Sequence, residues 1–369
     1  MRIAYVTETW LPFTDGIITR LLASIAELRR AGHEVMVIAP RGEGMTVDGV
    51  TVRGVPTVGW RFLYDGKRWG LPLLRVGRYL REFDPDVVHV VNPVMLGIAG
   101  VLSARRQGRT LVASYHTDIA AYAGCYRLGW MQPTIWALLR RLHGWAKINL
   151  ATSAAACAQL AAHGIKGVRL WPRGVDLNRF RPGPARFDGR PVALYVGRLA
   201  AEKGLHRLAP LAEPDSKFDL MFVGDGPARL ELQRELPAEF TGFLHGDDLA
   251  AAYREADVFV FPSTTDTLGL VILEALASGL PVVAADSPAS RELLATCPAA
   301  RLYPPDEPEQ VVPLAMELLE DREAKVRIAR EHAEKWSWNA ATGWLVDVYR
   351  EAMADSADAD SGSSGERAA

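Results

Sequence analysis

In Tyr195-Val-Gly-Arg-Leu-Ala-Ala-Glu-Lys-Gly204, Arg198 and Lys203 stand five residues apart just after a short apolar run. Two fixed cations where a strand gives way to a helix make a clamp for a diphosphate, because the first helical amides add donors to the two charges. The plainer reading is a surface Arg and Lys at a helix start. A second stretch, Phe261 to Pro281, runs from an apolar strand through Ser263-Thr-Thr-Asp266 into Leu268-Gly269-Leu270, where a helix opens. Free amides at such a start can hold phosphate. Asp266 precedes them, within reach of sugar hydroxyls. Glu274 lies one to two turns on, placed to accept hydrogen bonds from a ribose diol. The plainer reading makes Asp266 a helix N-cap and Glu274 a solvated surface acid.

The elements that would position these groups alternate along the chain. Leu21, Leu22, Ile25 and Leu28 give Thr19–Ala31 a helical spacing between the apolar runs Arg2–Thr7 and Glu34–Ala39, and Gly32 stands where the helix stops. Further strands are expected at Asp86–Val91, Thr110–Tyr115, Lys147–Thr152 and Gly167–Trp171. The rhythm restarts at Val192–Val196, Asp219–Val223, Phe240–Leu244, Val258–Pro262 and Pro281–Ala285. This pattern predicts an α/β protein with two doubly wound, Rossmann-like domains in tandem. Ligands in such folds bind beyond the carboxyl ends of the strands, so the cleft between two facing domains is the expected site.

The reading places an N-terminal domain at 1–180, a Pro- and Gly-rich linker at 181–191, and a second domain at 192–335. A C-terminal helix at 336–352 packs back on the first domain, and a disordered tail follows at 353–369. At 369 residues the chain exceeds what one core sustains, about 250–300. Charge divides at the same place. Residues 1–180 hold 23 Lys and Arg against 12 Asp and Glu, and the remainder 19 against 32, so the first half is the one suited to an anionic partner.

Together these stretches resemble the retaining GT-B glycosyltransferases of family 4. Gly197-Arg198 with Lys203 matches that family's donor clamp, and Asp266 and Glu274 fall on its pair of acids separated by seven residues. Val223-Gly-Asp-Gly-Pro227 and Arg173-Gly-Val-Asp176 match two more of its stretches. The resemblance covers about residues 1–350. Within the family the chain is most similar to sulfoquinovosyl-diacylglycerol synthases and bacterial glycolipid glycosyltransferases, through Thr7-Glu-Thr-Trp-Leu-Pro with Asp15-Gly-Ile, His89-Val-Val-Asn92-Pro93 and Ala113-Ser-Tyr-His-Thr117.

The resemblance implies a GT-B fold and a nucleotide-sugar donor linked to UDP or GDP. It implies retention of anomeric configuration, with no cofactor and no catalytic metal. It assigns catalysis to His116, Arg198, Lys203 and Asp266. Donor binding falls to Gly16, Arg198, Lys203, Gly242, Phe243, Asp266, Leu268, Gly269, Leu270 and Glu274. Gly16 would bring its backbone to the donor phosphates, His116 would touch the transferring sugar, and Gly242-Phe243 would meet the base. One departure stands out: the first acid is Asp266 where the family has Glu, a carboxylate one methylene shorter.

Composition is that of an ordinary soluble enzyme, and the Met1 end carries no signal-peptide pattern, so a cytoplasmic place is expected. The stretches 60–82 and 121–150 set Trp60, Phe62, Leu63, Tyr64, Trp69, Trp130, Trp136 and Trp145 among basic residues, the second without a single acid. Tryptophan beside Arg and Lys suits an anionic bilayer, so a lipid acceptor such as diacylglycerol and peripheral binding to the inner face of the plasma membrane are expected. A core role for the tryptophans is the alternative. Asp84-Pro-Asp86 has the spelling of a metal motif but reads as a helix-to-strand turn. No nucleic-acid motif is present. Other readings keep the donor chemistry with a soluble acceptor, change it to epimerisation or phosphorolysis, or drop catalysis for nucleotide-sugar binding.

Overall fold

A computed structural model describes the chain except residues 12–15, 41–45, 48, 60–67, 71–74, 117–128, 185–188, 267 and 366–369. Side chains are described for the rest except 46–47, 57–59, 68–70, 129 and 355–365. Of the expectations above, Trp60, Phe62, Leu63, Tyr64, Asp15 and the centre of the linker lie outside the described residues, as does the side chain of Trp69. The chain divides into two compact units, 1–172 with 339–369, and 173–338.

The first unit is built on β1 (Arg2–Thr7), β2 (Glu34–Pro40), β3 (Thr46–Val47), β4 (Val50–Val55), β5 (Thr57–Gly59), β6 (Arg68–Gly70), β7 (Val87–Val91), β8 (Thr110–Tyr115), β9 (Ile148–Ala151) and β10 (Val168–Leu170). Its main sheet has the order β10-β9-β8-β7-β1-β2-β4-β3, parallel but for β3, while β5 and β6 form a separate antiparallel pair. β1 and β7 read as continuous apolar runs because helices cover both faces of a parallel sheet. All five residues of β7, His89 included, are buried. The sheet grows outward in both directions from β1 and β7, so the strand order reverses between them, and the crevice such folds use for ligands opens at that point.

The second unit repeats the plan with β11 (Val192–Val196), β12 (Asp219–Val223), β13 (Glu239–Gly242), β14 (Val258–Phe261), β15 (Val282–Ala285) and β16 (Ala300–Tyr303). The order is β13-β12-β11-β14-β15-β16, all parallel, and here the reversal falls between β11 and β14. Each Val or Phe buried in β14 contributes about 1.5–3 kcal/mol relative to leaving it in water.

Three boundaries differ from the sequence reading. The units meet at Pro172 and Arg173, not at 180, because residues 173–180 pack on the second unit. Val175 and Phe180 enter its core, and Arg330 donates to the carbonyls of Leu177 and Phe180. Lys203 ends a short 3-10 turn, Ala201–Lys203, and a second 3-10 segment, Leu205–Ala212, follows in place of an α-helix. Gly204 in the left-handed region and Pro210 keep this stretch from regular α-helix. The last helix runs from Trp338 to Gly365, well past the end expected at 352.

From Asn339 onward that helix belongs to the first unit. Leu345, Val346, Val348, Tyr349 and Ala352 join a core with Ile3, Tyr5 and Val37. The Tyr349 hydroxyl lies 2.9 Å from that of Tyr5 and 2.7 Å from Nδ1 of His89. Burial pushes the His89 imidazole down to about 3, so this histidine of the quoted motif is a neutral core residue.

Candidate active site

Arg198, Lys203 and Asp266 collect at the strand-order reversal of the second unit, while Gly242 and Phe243 lie at the end of the edge strand β13. β11 ends at Val196 and releases Gly197-Arg198, and β14 ends at Phe261 and releases the loop to Asp266. These strands are neighbours, so the clamp and the acid are brought together by sheet topology.

The turn at Gly197 is braced by Val223-Gly-Asp-Gly-Pro227. Gly197 N donates to Val223 O at 2.9 Å, Leu199 N to Asp225 O at 3.0 Å, and Ala228 N to Leu199 O at 3.0 Å. A Cβ on Gly224 would stand 2.0 Å from the Gly197 carbonyl oxygen, so only glycine fits there. This stretch therefore acts as the support for Arg198, which stands exposed at the tip of the turn.

Lys203 Nζ lies 2.8 Å from Oδ2 of Asp266, and the two side chains are 21% and 25% exposed. Asp266 Oδ1 accepts the amides of Leu268 and Gly269, each at 3.2 Å. Burial raises the Asp266 carboxyl, but Lys203 and these two amides outweigh it and hold the group below the usual range. Gly269, left-handed at φ 58°, is the N-cap of the helix Leu270–Ala277, a conformation that disfavours any side chain. The first-turn amides of Leu270 and Val271 have no acceptor within that helix. Gly269 thus holds the N-cap place that the plainer reading gave to Asp266, and Asp266 instead fixes the turn before the helix and partners Lys203. Thr265 joins the two loops by donating to Glu202 O at 3.0 Å.

Glu274 sits on the same helix. Its Oε2 accepts the Tyr253 hydroxyl at 2.9 Å. Burial pushes its carboxyl up to about 7, against that hydrogen bond and the charge of Arg179. Gly242 ends β13 with its carbonyl taken by Gly224 N at 2.8 Å, and the adjoining Phe243 is 61% exposed. An exposed ring beside a strand end can stack on a base.

In the first unit, β1, β7 and β8 lie side by side, with Thr7 opposite Val91 and Val91 opposite Ser114. Glu8, Asn92 and His116 therefore leave neighbouring strands at the same edge. His116 pairs its Nε2 with Ser114 Oγ at 2.9 Å, donates its amide to Asn92 Oδ1 at 3.4 Å and meets Trp171 edge-on at 5.6 Å. Burial, then the charge of Arg20, holds its imidazole well below the ordinary value, so it is neutral. Gly16 begins the helix Gly16–Arg30, and Arg20, one turn on, lies 4.8 Å over the Trp171 ring.

Sequence reasoning gave no role to three charged or polar residues, two of which, Glu8 and Arg173, stand in quoted stretches. Glu8 Oε1 accepts Gly97 N at 2.8 Å, supplying a cap to the helix Leu96–Arg106, whose own N-cap Met95 offers none. Burial pushes that carboxyl up to about 7 against the amides of residues 94–97. Arg173 is buried with Glu292 at 3.3 Å, and Asp266 also bears on its charge. Tyr253 is the third. None carries a spacing signal, because each meets its partner through the fold.

Residues 14–179 match the model of Glycosyltransferase Family 4, and residues 190–321 that of Glycosyl transferases group 1. A GDP-mannose-dependent alpha-mannosyltransferase of Mycolicibacterium smegmatis is 40% identical over 365 residues, 95% of this chain and 97% of that one. The chain is a family 4 glycosyltransferase. A sulfoquinovosyl transferase of Arabidopsis thaliana is 33% identical to this glycosyltransferase over 368 residues, 92% of this chain and 71% of that one. In fold it matches the sucrose-phosphate synthase of Thermosynechococcus elongatus, with a TM-score of 0.74 at 20% identity over 96% and 99% of the two chains. The architecture is that of the GT-B glycosyltransferases, two Rossmann-like domains. The enzyme therefore moves a sugar from a nucleotide-sugar donor. Among the described residues, no helix is long and apolar enough to cross a membrane.

Proposed function

We propose that this glycosyltransferase moves mannose or a related hexose from a GDP-linked donor to a lipid acceptor, with retention of anomeric configuration and without a catalytic metal or cofactor. The observation that carries the donor is full-length similarity, 40%, to a GDP-mannose-dependent alpha-mannosyltransferase. Uracil remains the other base, since the sulfoquinovosyl transferase is also similar. In this reading Arg198 and Lys203 meet the charge that grows on the departing diphosphate as the sugar passes through an oxocarbenium-like state. Lys203 has three donors and gives one to Asp266, so two remain for phosphate oxygens. Glu274 holds the ribose diol, Phe243 stacks on the base, and Asp266 and the helix start at Leu268-Gly269-Leu270 face the hexose, while Gly16 and His116 keep the roles that the family resemblance gives them.

The lipid acceptor is supported by the surface of the helix Gln132–His143. Trp130, 76% exposed, Arg140 and the stacked pair Trp136 and His163 line a groove of about 450 Å³. Leu138, Arg140, Arg141 and Lys147 are also exposed along this stretch. Such a face suits an anionic bilayer, and we place the enzyme peripherally on the inner face of the plasma membrane.

A thermal-shift series with GDP, UDP, ADP and TDP, each with magnesium or with EDTA, tests the donor reading. Bound nucleotide raises the melting temperature by mass action. GDP should give the largest shift, equal with and without magnesium. A larger shift with UDP would move the donor to that base, and a shift that needs magnesium would sink the metal-free reading.

A further inference from the structure

Among the described residues, the Glu274 carboxylate has one hydrogen-bond partner, Tyr253. Tyr253 lies in the last turn of the helix Gly246–Glu255 and is fully buried at 0% exposure. Its ring stands edge-on to Phe180, centroids 5.5 Å apart, and tilted against Phe259 at 5.9 Å, so packing locks its direction. Its oxygen lies 2.9 Å from Glu274 Oε2 and 3.3 Å from Val271 O. A phenol has a single proton, and the shorter, charge-assisted contact takes it. Oε1 takes no hydrogen bond among the described residues.

We propose that Tyr253 is a positioning residue for donor binding, its hydroxyl fixing Oε2 of Glu274 so that Oε1 is presented to the vicinal hydroxyls of a ribose. This rests on the reading of Glu274 as the ribose acid. The chemistry explains the choice of side chain. A Lys or Arg at 253 would also hold the carboxylate, but it would bring a positive charge into the apolar core. A phenol donates without ionising, and burial together with the Glu274 charge drives its own titration well above the ordinary value.

Glu274 is crowded by few charges. Tyr253 faces it from the helix 246–255, and Arg179 bears on it from the segment before β11. The helix Arg322–Glu334 packs on the same element, with Arg330 bonded to Ala277 O at 2.9 Å, while its His332 bonds Leu293 O of the helix Pro288–Leu294 at 2.8 Å. The strands β14 and β15 and the helix Pro288–Leu294 offer Phe259, Phe261, Val282, Leu293 and Leu294, all apolar. Removing the Tyr253 hydroxyl leaves Oε2 buried without a donor. Glu274 then keeps its proton to higher pH and its carboxylate loses its fixed orientation.

The test is calorimetric binding of GDP, with UDP alongside, from about pH 5.5 to about pH 9. The proteins are wild type, Tyr253→Phe and Glu274→Gln, and 2′,3′-dideoxy-GDP serves as the probe without a diol. Tyr253→Phe should bind GDP about three- to tenfold more weakly near pH 7, with the midpoint of the pH dependence moved upward and the loss recovered near pH 9. Its affinity for the dideoxy probe should equal that of wild type. If Glu274→Gln binds GDP as wild type does, the ribose reading itself fails and the inference falls with it. If Glu274→Gln and the dideoxy probe are both weak while Tyr253→Phe keeps the wild-type midpoint, Glu274 stands and the role of Tyr253 is overturned. Should Tyr253→Phe not fold, fluorination of the Tyr253 ring alone strengthens the phenol as a donor. The midpoint must then move down, and an unmoved midpoint overturns the proposal.

Discussion

Lys203 and Asp266 are held 2.8 Å apart although they lie 63 positions apart in the chain, and the same aspartate accepts the amides of Leu268 and Gly269, just before the helix Leu270–Ala277, with its other oxygen. The shorter side chain makes this double duty possible, since its carboxylate stays close to its own backbone. Asp266→Asn keeps an Oδ1 acceptor for the two loop amides and removes the ion pair. A partly exposed pair is worth about 0.2–1 kcal/mol, so urea denaturation should show a loss of that size at neutral pH. Because the native carboxyl titrates below its usual value, that contribution is present above about pH 4 and is lost as pH falls through the lowered native value. Wild type and variant should therefore converge in acid.

Arg198→Ala and Lys203→Ala should each lower kcat by about 10²–10³ with a smaller change in donor KM. Groups aimed at charge that develops only in the transition state act on kcat. Initial rates over a range of donor concentrations check this. An effect confined to KM would make both residues ground-state anchors.

Glu8 and Glu274 give the pH profile of stability an unusual sign. Both carboxyls are raised by burial to about 7 in the folded protein, against about 4.3 in an unfolded chain. Between those values the folded state holds protons that the unfolded state has released, so these groups make stability fall as pH rises through this window. Melting temperatures of Glu8→Gln and Glu274→Gln should depend less on pH there and exceed wild type near pH 8. Glu274→Gln should lose donor affinity at the same time, a gain in stability at the expense of function.

Tyr349 ties the last helix to the first unit's sheet through Tyr5 and His89. Tyr349→Phe leaves both partners buried and unpaired, and should cost about 1–3 kcal/mol in urea denaturation. A neutral substitution would mean that water replaces the hydroxyl.

Binding to anionic vesicles should weaken about fivefold for each charge removed at Arg140 and Arg141, at about 1 kcal/mol each, and also on Trp130→Ala. Sedimentation with vesicles of anionic and of neutral lipid reads this directly. Equal binding to both would remove the electrostatic part of the docking surface.

Much of the fold was legible because buried parallel strands are written as unbroken apolar runs, and Val87–Val91 and Val258–Phe261 could hardly be anything else. Val50–Val55 and Ala300–Tyr303 escaped notice. The first alternates with Thr and Arg near a sheet edge, and the second is four residues long with Arg301 in it. The boundary was set at the prolines 182 and 184, but contacts decide it. Val175 N donates to Trp336 O, and Arg330 holds Leu177 and Phe180, pairings no local signal announces. At the site, Arg198, Lys203, Asp266 and Glu274 were visible as a spaced motif. Tyr253, Glu292 and Glu8 were not, since a tyrosine one turn from a helix end or an acid after a strand has the composition of any surface. Only the strand order brings them to their partners.

The most direct test of the central claim is transfer itself. The purified protein is incubated with vesicles containing diacylglycerol and with GDP-mannose or UDP-glucose, each labelled in the sugar, and the lipid product is analysed for label and anomeric configuration. Label from GDP-mannose should enter the lipid phase as the α-anomer, with EDTA without effect. A β-linked product, or sugar released only to water with the lipid unlabelled, would contradict the account.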